Sequence, residues 1–332
     1  MADYLKEFAT KQEYEDYLNS DYPKPNVSYI NETDETFFTN YDEEGDSNKY
    51  ALLGIEIANF SGTQFANPTT YIEKIVVPEG VTTLTAGFQS YPSLKSVSLP
   101  STLTKLPDRQ FFKCSALEGI VIPDSVTSIG MYAFKDCSAL TSVTIGNSVN
   151  TIGDWAFQNC TGLKSLTIGN SVTRIGNASF KNCTGLTSVT VPESVTTIGN
   201  MAFQDCTALT SVTIGNSVTS FGDEAFRSCT GLTSITIPDS VTRIGHQDFS
   251  GCTALTNVTI GNSVETIGYS AFSGCSGLTS LTVEATTPPT LGTNPLQDTP
   301  SDMVIYVPAE SVDAYKAAAE WSNYASKIQA IP

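Results

Sequence analysis

The stretch CSALTSVTIGNSVNTIGDWAFQN (137–159) determines the architecture of this chain, because close variants of it follow one another without a gap. The next two units read CTGLKSLTIGNSVTRIGNASFKN (160–182) and CTGLTSVTVPESVTTIGNMAFQD (183–205). The eight cysteines of the chain share one position in the repeat and lie 23 residues apart: Cys114, Cys137, Cys160, Cys183, Cys206, Cys229, Cys252 and Cys275. A constant period sustained over this many units predicts a solenoid in which each unit forms one rung.

Each unit contains two short apolar segments. In TSVTI (141–145), Val143 and Ile145 alternate with polar residues, which is typical of a strand with one buried face. A Gly-Asn, Pro-Asp or Pro-Glu pair ends that strand, and a second apolar segment, Val149 and Ile152, precedes a recurring glycine and phenylalanine. The strands from Ile75–Val77 to Leu281–Val283 predict ten stacked rungs, about 50 Å in all at 4.8 Å per rung.

Charge and hydropathy exclude several kinds of partner. The formal net charge is −17, and residues 1–50 carry 13 acidic and 4 basic side chains against 12 and 10 in residues 94–283. Binding to nucleic acid needs clustered Lys and Arg, so none is expected. No apolar run approaches the roughly 20 residues of a membrane span, and membrane insertion is not expected either.

The first residues, MADYLKEFATKQEYEDYLNSDYP, lack the basic segment and apolar core of a secretory signal. We therefore expect an extracellular or cell-surface protein if a signal was removed, and otherwise a virion or cytoplasmic one.

The units AFQNCTGLKSLTIGNSVTRIG (156–176) and AFQDCTALTSVTIGNSVTSFG (202–222) resemble the BspA-like, or treponemal, class of leucine-rich repeats. The resemblance covers residues 75–283 and recurs in every unit. It implies an α/β solenoid: a right-handed horseshoe with a parallel sheet of TSVTI strands on its concave face. It also implies a non-enzymatic surface protein that serves in adhesion or binding.

The flanking segments suggest three domains: 1–74, the repeat array 75–283, and 284–332. The tail TPSDMVIYVPAESVDAYKAAAEWSNYASKI (299–328) resembles the strand–helix cap of such arrays in gut bacteria, which implies a last strand at Val304–Val307 and a helix at Ala309–Trp321.

In the first domain, the pattern predicts a helix at Lys11–Leu18, a hairpin from 27–30 and 36–40, and a strand at Tyr50–Phe60. This α+β segment is either a cap for the open end of the array or an attachment module. KQEYEDYLNSDYPKPNVSYINETDETFF (11–38) resembles leader modules of gut-bacterial and gut-phage proteins, and this resemblance implies an attachment segment.

The cysteines invite a disulfide or zinc interpretation, but their shared position favours a structural one. The chain has no CxxC pair and one histidine, His246, so a zinc site is not expected. A disulfide needs a specific geometry that a regular ladder rarely offers, and cysteine behaves as a small apolar residue. We predict buried free thiols.

No catalytic group or cofactor is predicted. His246 and Asp248 lie close together, but no nucleophile is tied to them by spacing, and His246 occupies a position that accepts many residue types. The acidic stretch DEEGDSN (42–48) lacks the order of an EF-hand and is interpreted as a solvated turn.

Candidate binding residues lie where the repeats differ. The pair after the repeat glycine varies from rung to rung, and Tyr132 and Trp155 on adjacent rungs predict an exposed aromatic patch; Met201 and Tyr269 are further candidates. The alternative is neutral variation at a solvated position. Aligned hydroxyls on the strands could also bind a polar ligand, or simply suit a half-exposed strand: Thr144, Thr167, Thr190 and Thr213.

Together these features predict a non-catalytic protein that binds a protein or glycan ligand at a bacterial surface. The alternative is a structural or receptor-binding virion component of a gut phage, docked to a larger assembly through residues 1–74.

Overall fold

The structure, a computed structural model, describes residues 73–77, 79–84 and 87–332, together with the backbone of three upstream strands, Val27–Asn31, Thr36–Asn40 and Ile57–Ala58. The first two of these strands pair antiparallel, and the third pairs with the second. The predicted hairpin is therefore confirmed. The helix predicted at 11–18, the acidic turn at 42–48 and most of the strand predicted at 50–60 lie outside the described residues.

The TSVTI strands form a parallel stack, the long-strand ladder. Successive strands align at the repeat period, so that Ser142 lies opposite Ser165 and Thr144 opposite Thr167. All ten predicted strands are present: Lys74–Val76, Ser96–Ser98, Gly119–Ile122, Ser142–Ile145, Ser165–Thr167, Ser188–Val191, Ser211–Ile214, Ser234–Ile237, Asn257–Ile260 and Ser280–Val283. Hydrogen bonding divides the ladder into three sections, of which the first ends at Ser165–Thr167 and the second at Ser211–Ile214. The predicted solenoid of parallel strands is confirmed.

A second parallel sheet, the short-strand ladder, runs along another side of the solenoid. The sequence pattern did not predict it, because two-residue strands are too short to show alternation. Each of its strands ends in the apolar residue that precedes the repeat glycine, or in the matching residue of the last unit. The strands are Ser128–Ile129, Thr151–Ile152, Arg174–Ile175, Thr197–Ile198, Ser220–Phe221, Arg243–Ile244, Thr266–Ile267 and Thr290–Leu291.

The third side of each rung, the turn side, is held to the next rung by backbone hydrogen bonds. Trp155 donates its amide to the carbonyl of Asn177 (2.8 Å), and Asn159 donates to Lys181 (2.9 Å). Both donors have left-handed backbone angles, with φ of 55° for Trp155 and 62° for Asn159. This conformation turns alternate amides along the solenoid axis, and it recurs at the same two positions in the other rungs.

The core is a set of stacked columns of identical residues. The most regular column is phenylalanine, in which neighbouring ring centroids lie between 5.0 Å (Phe134 to Phe157) and 5.7 Å (Phe88 to Phe111) apart. The rings from Phe111 to Phe272 are essentially inaccessible to solvent. Each buried ring contributes roughly 1.5–3 kcal/mol of transfer free energy relative to an exposed one. No rung buries its own ring, since each lies between its two neighbours.

The cysteines form a second buried column. All eight are buried free thiols, as predicted. Each also donates its S–H to the backbone carbonyl of a phenylalanine in the preceding rung, as Cys137 does to Phe111 (Sγ to O, 3.1 Å) and Cys183 to Phe157 (3.3 Å). Burial raises the pKa of Cys114 to about 12 and that of Cys160 well above its ordinary value.

The C-terminal segment corrects two predictions. Val304–Val307 is a strand of the long-strand ladder, but it is not the last, because Ile328–Ala330 pairs with it in parallel. The segment predicted as one helix at 309–321 has a 3-10 turn over Ala309–Ser311 and α-helix over Val312–Ala317, and a separate 3-10 helix spans Trp321–Lys327. Ala318 takes an extended backbone (ψ 144°), which ends the α-helix.

Two aromatic side chains attach this cap to the array. Tyr315 Oη donates to the carbonyl of Ala285 (2.7 Å), and Trp321 Nε1 donates to that of Pro289 (2.7 Å). Both side chains are buried, so the cap covers the last rung. Among the described residues, no helix is both long enough and apolar enough to cross a bilayer.

Candidate binding surface

The first residue of each variable pair, which follows the repeat glycine or, in the earliest rung, Pro107, has a structural function in most rungs. Its side chain accepts a hydrogen bond from the amide of the equivalent residue one rung later. Asp154 Oδ1 accepts from Asn177 N (2.8 Å), and Asn200 Oδ1 accepts from Asp223 N (3.0 Å). We call this set the acceptor column: Asp108, Asp154, Asn177, Asn200, Asp223 and His246.

His246 is a member of this column, which corrects the interpretation of its position as freely tolerant. Its Nδ1 accepts from the amide of Tyr269 (2.9 Å), so the imidazole replaces the Asp or Asn oxygen of other rungs. The ring therefore has a structural role. Neutral variation alone does not explain this position, since most rungs retain a side-chain acceptor.

Asp248 has no functional contact with His246 and lies in the core, where most rungs have alanine. Its Oδ2 accepts from Gly245 N (2.6 Å) and its Oδ1 from Ala225 N (3.1 Å). Burial raises the pKa of Asp248 to about 8, although the two backbone N–H groups and Arg243 oppose the shift. A carboxyl group enclosed in this way is not exposed to any substrate.

The second residues of the variable pairs form another column, in which Tyr132 and Trp155 are stacked. Their ring centroids are 5.1 Å apart and the ring planes differ by 12°. Both side chains are half-buried. The predicted juxtaposition of the two rings is therefore present in the structure, and each ring is held on a left-handed residue of a rigid turn.

The other two variable-pair candidates do not join this stack. Met201 lies in the same column but two rungs beyond Trp155, with Ala178 between them. Tyr269 follows the last member of the acceptor column and donates its amide to His246 Nδ1; its side chain is 45% exposed and makes an edge contact with the His246 ring at 6.4 Å between centroids. The four residues predicted as one set thus occupy three separate places.

Two cations, which the sequence analysis missed, lie against Tyr132. Arg109 Cζ is 5.4 Å from the ring centroid on the side of the preceding rung, and Lys135 Nζ is also 5.4 Å from it. Lys113 lies beside them over Phe112 (Nζ to centroid, 5.2 Å). Following the column one rung back, to position 109, would have revealed the first cation. We call this surface the aromatic–basic patch: Arg109, Lys113, Tyr132, Lys135 and Trp155.

The hydroxyl candidates form a separate and more uniform surface. Thr144, Thr167, Thr190 and Thr213 are all exposed along the long-strand ladder. Within the described part of the chain, none of their hydroxyls has a hydrogen bond to protein, so all four are available to solvent. The surface is interrupted at one end by Val121, which is 65% exposed.

Within residues 73–77, 79–84 and 87–332, no group of three or more His, Cys, Asp or Glu side chains is arranged to hold a metal ion. What the geometry offers instead is a long, rigid surface with one aromatic–basic patch and one hydroxyl-rich face.

Stacked 23-residue rungs with an inward leucine, a parallel strand and a terminal cap define a leucine-rich-repeat solenoid. Sequence comparison identifies the type: the BspA type leucine rich repeat region matches residues 58–187 and 173–297, in six copies. The chain belongs to this family. No curated protein sequence matches it closely enough to be counted as a relative.

Solved structures of bacterial leucine-rich-repeat proteins are similar to the chain. One is a leucine-rich repeat protein from Bacteroides ovatus, with 23% identity and a TM-score of 0.50 over 79% of this chain and 84% of that one. Another is a leucine rich cell surface protein from Faecalibacterium prausnitzii, with 26% identity and a TM-score of 0.52 over 74% of this chain and 76% of that one.

Proposed function

We propose that the chain is a non-catalytic recognition protein that binds a protein or glycan ligand at a bacterial surface. The observation that carries this proposal is the half-exposed stack of Tyr132 on Trp155. Aromatic side chains presented on a rigid element dominate binding interfaces, because they bury a large area at little entropic cost. Regular repeats have no packing need for two large rings at this position, since Ala178 occupies it one rung later.

Two further observations support the proposal. The Faecalibacterium protein of similar structure is described as a cell surface protein. Among the residues with the most evident catalytic chemistry, His246 Nδ1 and both carboxyl oxygens of Asp248 accept hydrogen bonds from backbone amides. The alternative role as a virion component rests on residues upstream of 73, few of which the structure describes, and it stays a prediction.

The test compares binding of the wild type and a Tyr132→Ala, Trp155→Ala double variant to arrayed glycans and immobilised matrix proteins. Alanine is compatible with the left-handed backbone at these sites, because Ala178 adopts φ 49° at the equivalent position. We expect at least a tenfold loss of affinity, about 1.4 kcal/mol, for the ligand that uses the patch.

Gln247→Ala is the matched control, because it makes the same kind of truncation in the same column four rungs later. It should leave binding unchanged. Equal binding by the double variant and the wild type would remove the aromatic stack as the recognition site.

A further inference from the structure

The basic side chains of the array are unevenly distributed, and this asymmetry indicates what the patch binds. Residues 105–181 carry seven basic and five acidic side chains, whereas residues 182–283 carry two basic and seven acidic ones. The first part is therefore net positive in a chain whose overall charge is −17. A polyanion is repelled by most of this protein and attracted to one section of it.

The basic residues that lack a carboxylate partner are even more unevenly distributed along the array. Four of the ten basic residues between 94 and 283 are paired with a carboxylate: Lys95, Arg174, Arg227 and Arg243. The other six have no carboxylate partner among the described residues, and all lie between Lys105 and Lys181: Lys105, Arg109, Lys113, Lys135, Lys164 and Lys181. Three of them belong to the aromatic–basic patch.

The carboxylates nearest the patch accept hydrogen bonds from the next rung. Asp108 Oδ1 accepts from Met131 N (2.7 Å), and Asp136 Oδ1 accepts from the Asn159 side chain (2.7 Å). Asp154 is additionally paired with Arg174 (2.9 Å). These acids offset part of the positive charge, but none of them is paired with the patch cations.

The patch combines these free cations with a flat apolar face. Arg109, Tyr132 and Trp155 follow one another in a single column at the rung spacing of about 4.8 Å. Tyr132 is covered by Arg109 on one side and by Trp155 on the other. Among the described residues, Tyr132 supplies the one aromatic ring that contacts the Trp155 indole, and no cation contacts it. The following residue in the column, Ala178, ends at Cβ.

We propose that the aromatic–basic patch binds an anionic glycan, a saccharide chain that carries carboxylate or sulfate groups. The C–H face of a pyranose ring packs on Trp155, while Arg109, Lys113 and Lys135 pair with the acidic groups of neighbouring sugar units. An acidic peptide satisfies the cations but has no flat ring for the indole face. This inference rests on the proposed function and specifies the ligand class for the same patch.

The experiment measures binding of the full chain to four soluble probes in low salt: heparin (sulfate and carboxylate), hyaluronan (carboxylate), dextran (neutral) and poly-glutamate. We expect binding to one or both anionic glycans that weakens as salt is raised, and no binding to dextran. Binding to heparin alone identifies sulfate as the required group, and binding to hyaluronan identifies carboxylate. Either supports the proposal.

The variants use residues that other rungs already carry at the same positions. Arg109→Gln places the residue found at 247, and Lys135→Gln the residue found at 158 and 204. Together they should lower affinity for the anionic glycan by about tenfold or more. Trp155→Ala should do the same without changing the charge. Lys164→Gln removes an unpaired cation beside the long-strand ladder and should change affinity less than twofold.

Three results would overturn the proposal. These are wild-type binding that is no tighter to the anionic glycans than to dextran, equal binding to poly-glutamate, or an effect of Lys164→Gln as large as that of the patch variants. Binding of a neutral glycan or a matrix protein that is lost in the Tyr132→Ala, Trp155→Ala variant would sustain the proposed function while refuting the anionic ligand. The two proposals therefore fail separately.

Discussion

Each cysteine thiol lies in the core and donates its S–H to the backbone carbonyl of a phenylalanine in the preceding rung. The nucleophilic form of cysteine is the thiolate, which burial disfavours. The cysteine thiols are therefore unreactive as nucleophiles in the folded molecule. His246 has a structural contact as well, because its Nδ1 accepts a hydrogen bond from the amide of Tyr269.

The chain should show no rapidly reacting thiol at pH 8 in the native state and eight in denaturant. The raised pKa values, about 12 for Cys114 and Cys275 at the two ends of the column, leave almost no thiolate at that pH. A chromogenic disulfide reagent gives both counts. Fewer than eight thiols in denaturant would reveal disulfides and contradict the structure.

Asp248 should give the protein a specific pH dependence. Its pKa is about 8 in the folded state against an ordinary value of 3.8. Between these values the folded state holds a proton that the unfolded state has released, so raising the pH favours unfolding. The contribution of Asp248 to stability therefore falls from about pH 4 to pH 8 and is constant above. The slope is at most about 1.4 kcal/mol per pH unit.

The measurement is the free energy of unfolding of the wild type and of Asp248→Asn at pH 5, 6, 7 and 8. Asparagine has nearly the same shape but does not titrate. The difference between the two proteins should shift in favour of the variant as the pH rises. A constant difference would show that the folded carboxyl group has an ordinary pKa.

The short-strand ladder contains one irregular step. Both residues of each two-residue strand pair with their neighbours, except that Ser220–Phe221 pairs with Arg243–Ile244 only at Ser220 and Arg243. Here Phe221 stands where the adjacent rungs have isoleucine. In the other rungs, the amide of the equivalent glycine donates to a carbonyl of the preceding strand. The amide of Gly245 donates to Asp248 instead. We infer that the carboxyl group of Asp248 compensates for the backbone pairing that is missing beside the larger ring of Phe221.

This compensation predicts strong coupling between the two positions. Asp248→Ala alone leaves two buried amides without an acceptor, at roughly 1–3 kcal/mol each. Combined with Phe221→Ile, it recreates the sequence of a regular rung, in which Gly245 can again donate to the preceding strand. We expect the double variant to be more stable than the sum of the single effects predicts, by about 1 kcal/mol or more.

Urea unfolding of the four proteins in this cycle measures the coupling energy. Phe203→Leu with Asp248→Ala serves as the control pair, because Phe203 lies two rungs away in the regular phenylalanine column. The control pair should be additive. Additive effects for Phe221 and Asp248 as well would mean that the irregular step has another cause.

The array has one core that continues from rung to rung, and each rung is stabilised by its two neighbours. Its ends are the exception, and at the C-terminal end the cap performs the role of the missing rung. Trp321 and Tyr315 lie in contact at 5.0 Å between centroids and bond to carbonyls after the last repeat. Damage to the cap should therefore spread from the end inwards.

Trp321→Ala should increase amide hydrogen exchange in Val304–Val307 and Ser280–Val283 and leave Ser188–Val191 near its wild-type rate. The reason is that loss of the indole opens a large cavity, at about 3–5 kcal/mol, beside the last rungs only. Exchange detected by mass spectrometry resolves these segments. Ile331→Ala, a truncation of an exposed side chain, is the control. A uniform rise along the whole array would contradict nearest-neighbour stabilisation.

Much of the fold was predictable because each repeat carries the same pattern of apolar and polar residues, so the same strand is indicated many times. Alternation within TSVTI located all ten strands, and the position of Cys137 in the unit indicated burial. The short-strand ladder was not predictable, since two residues carry no period. The end of the array was mispredicted because residues 309–321 have helical composition throughout, whereas burial of Trp321 requires the chain to leave the α-helix near Ala318.

The parallel solenoid, its ten repeat strands and the burial of the cysteines could be predicted from the sequence, because these follow from a period and an alternation that are read along the chain. The tertiary structure added contacts that spacing along the chain does not reveal, because they depend on how side chains pack between rungs. The sequence indicated that Tyr132 and Trp155 are neighbours, and the structure set Arg109 and Lys135 against the tyrosine ring. It also showed that His246 and Asp248 are bonded to backbone amides, because hydrogen-bond partners depend on distances between rungs rather than on spacing along the chain.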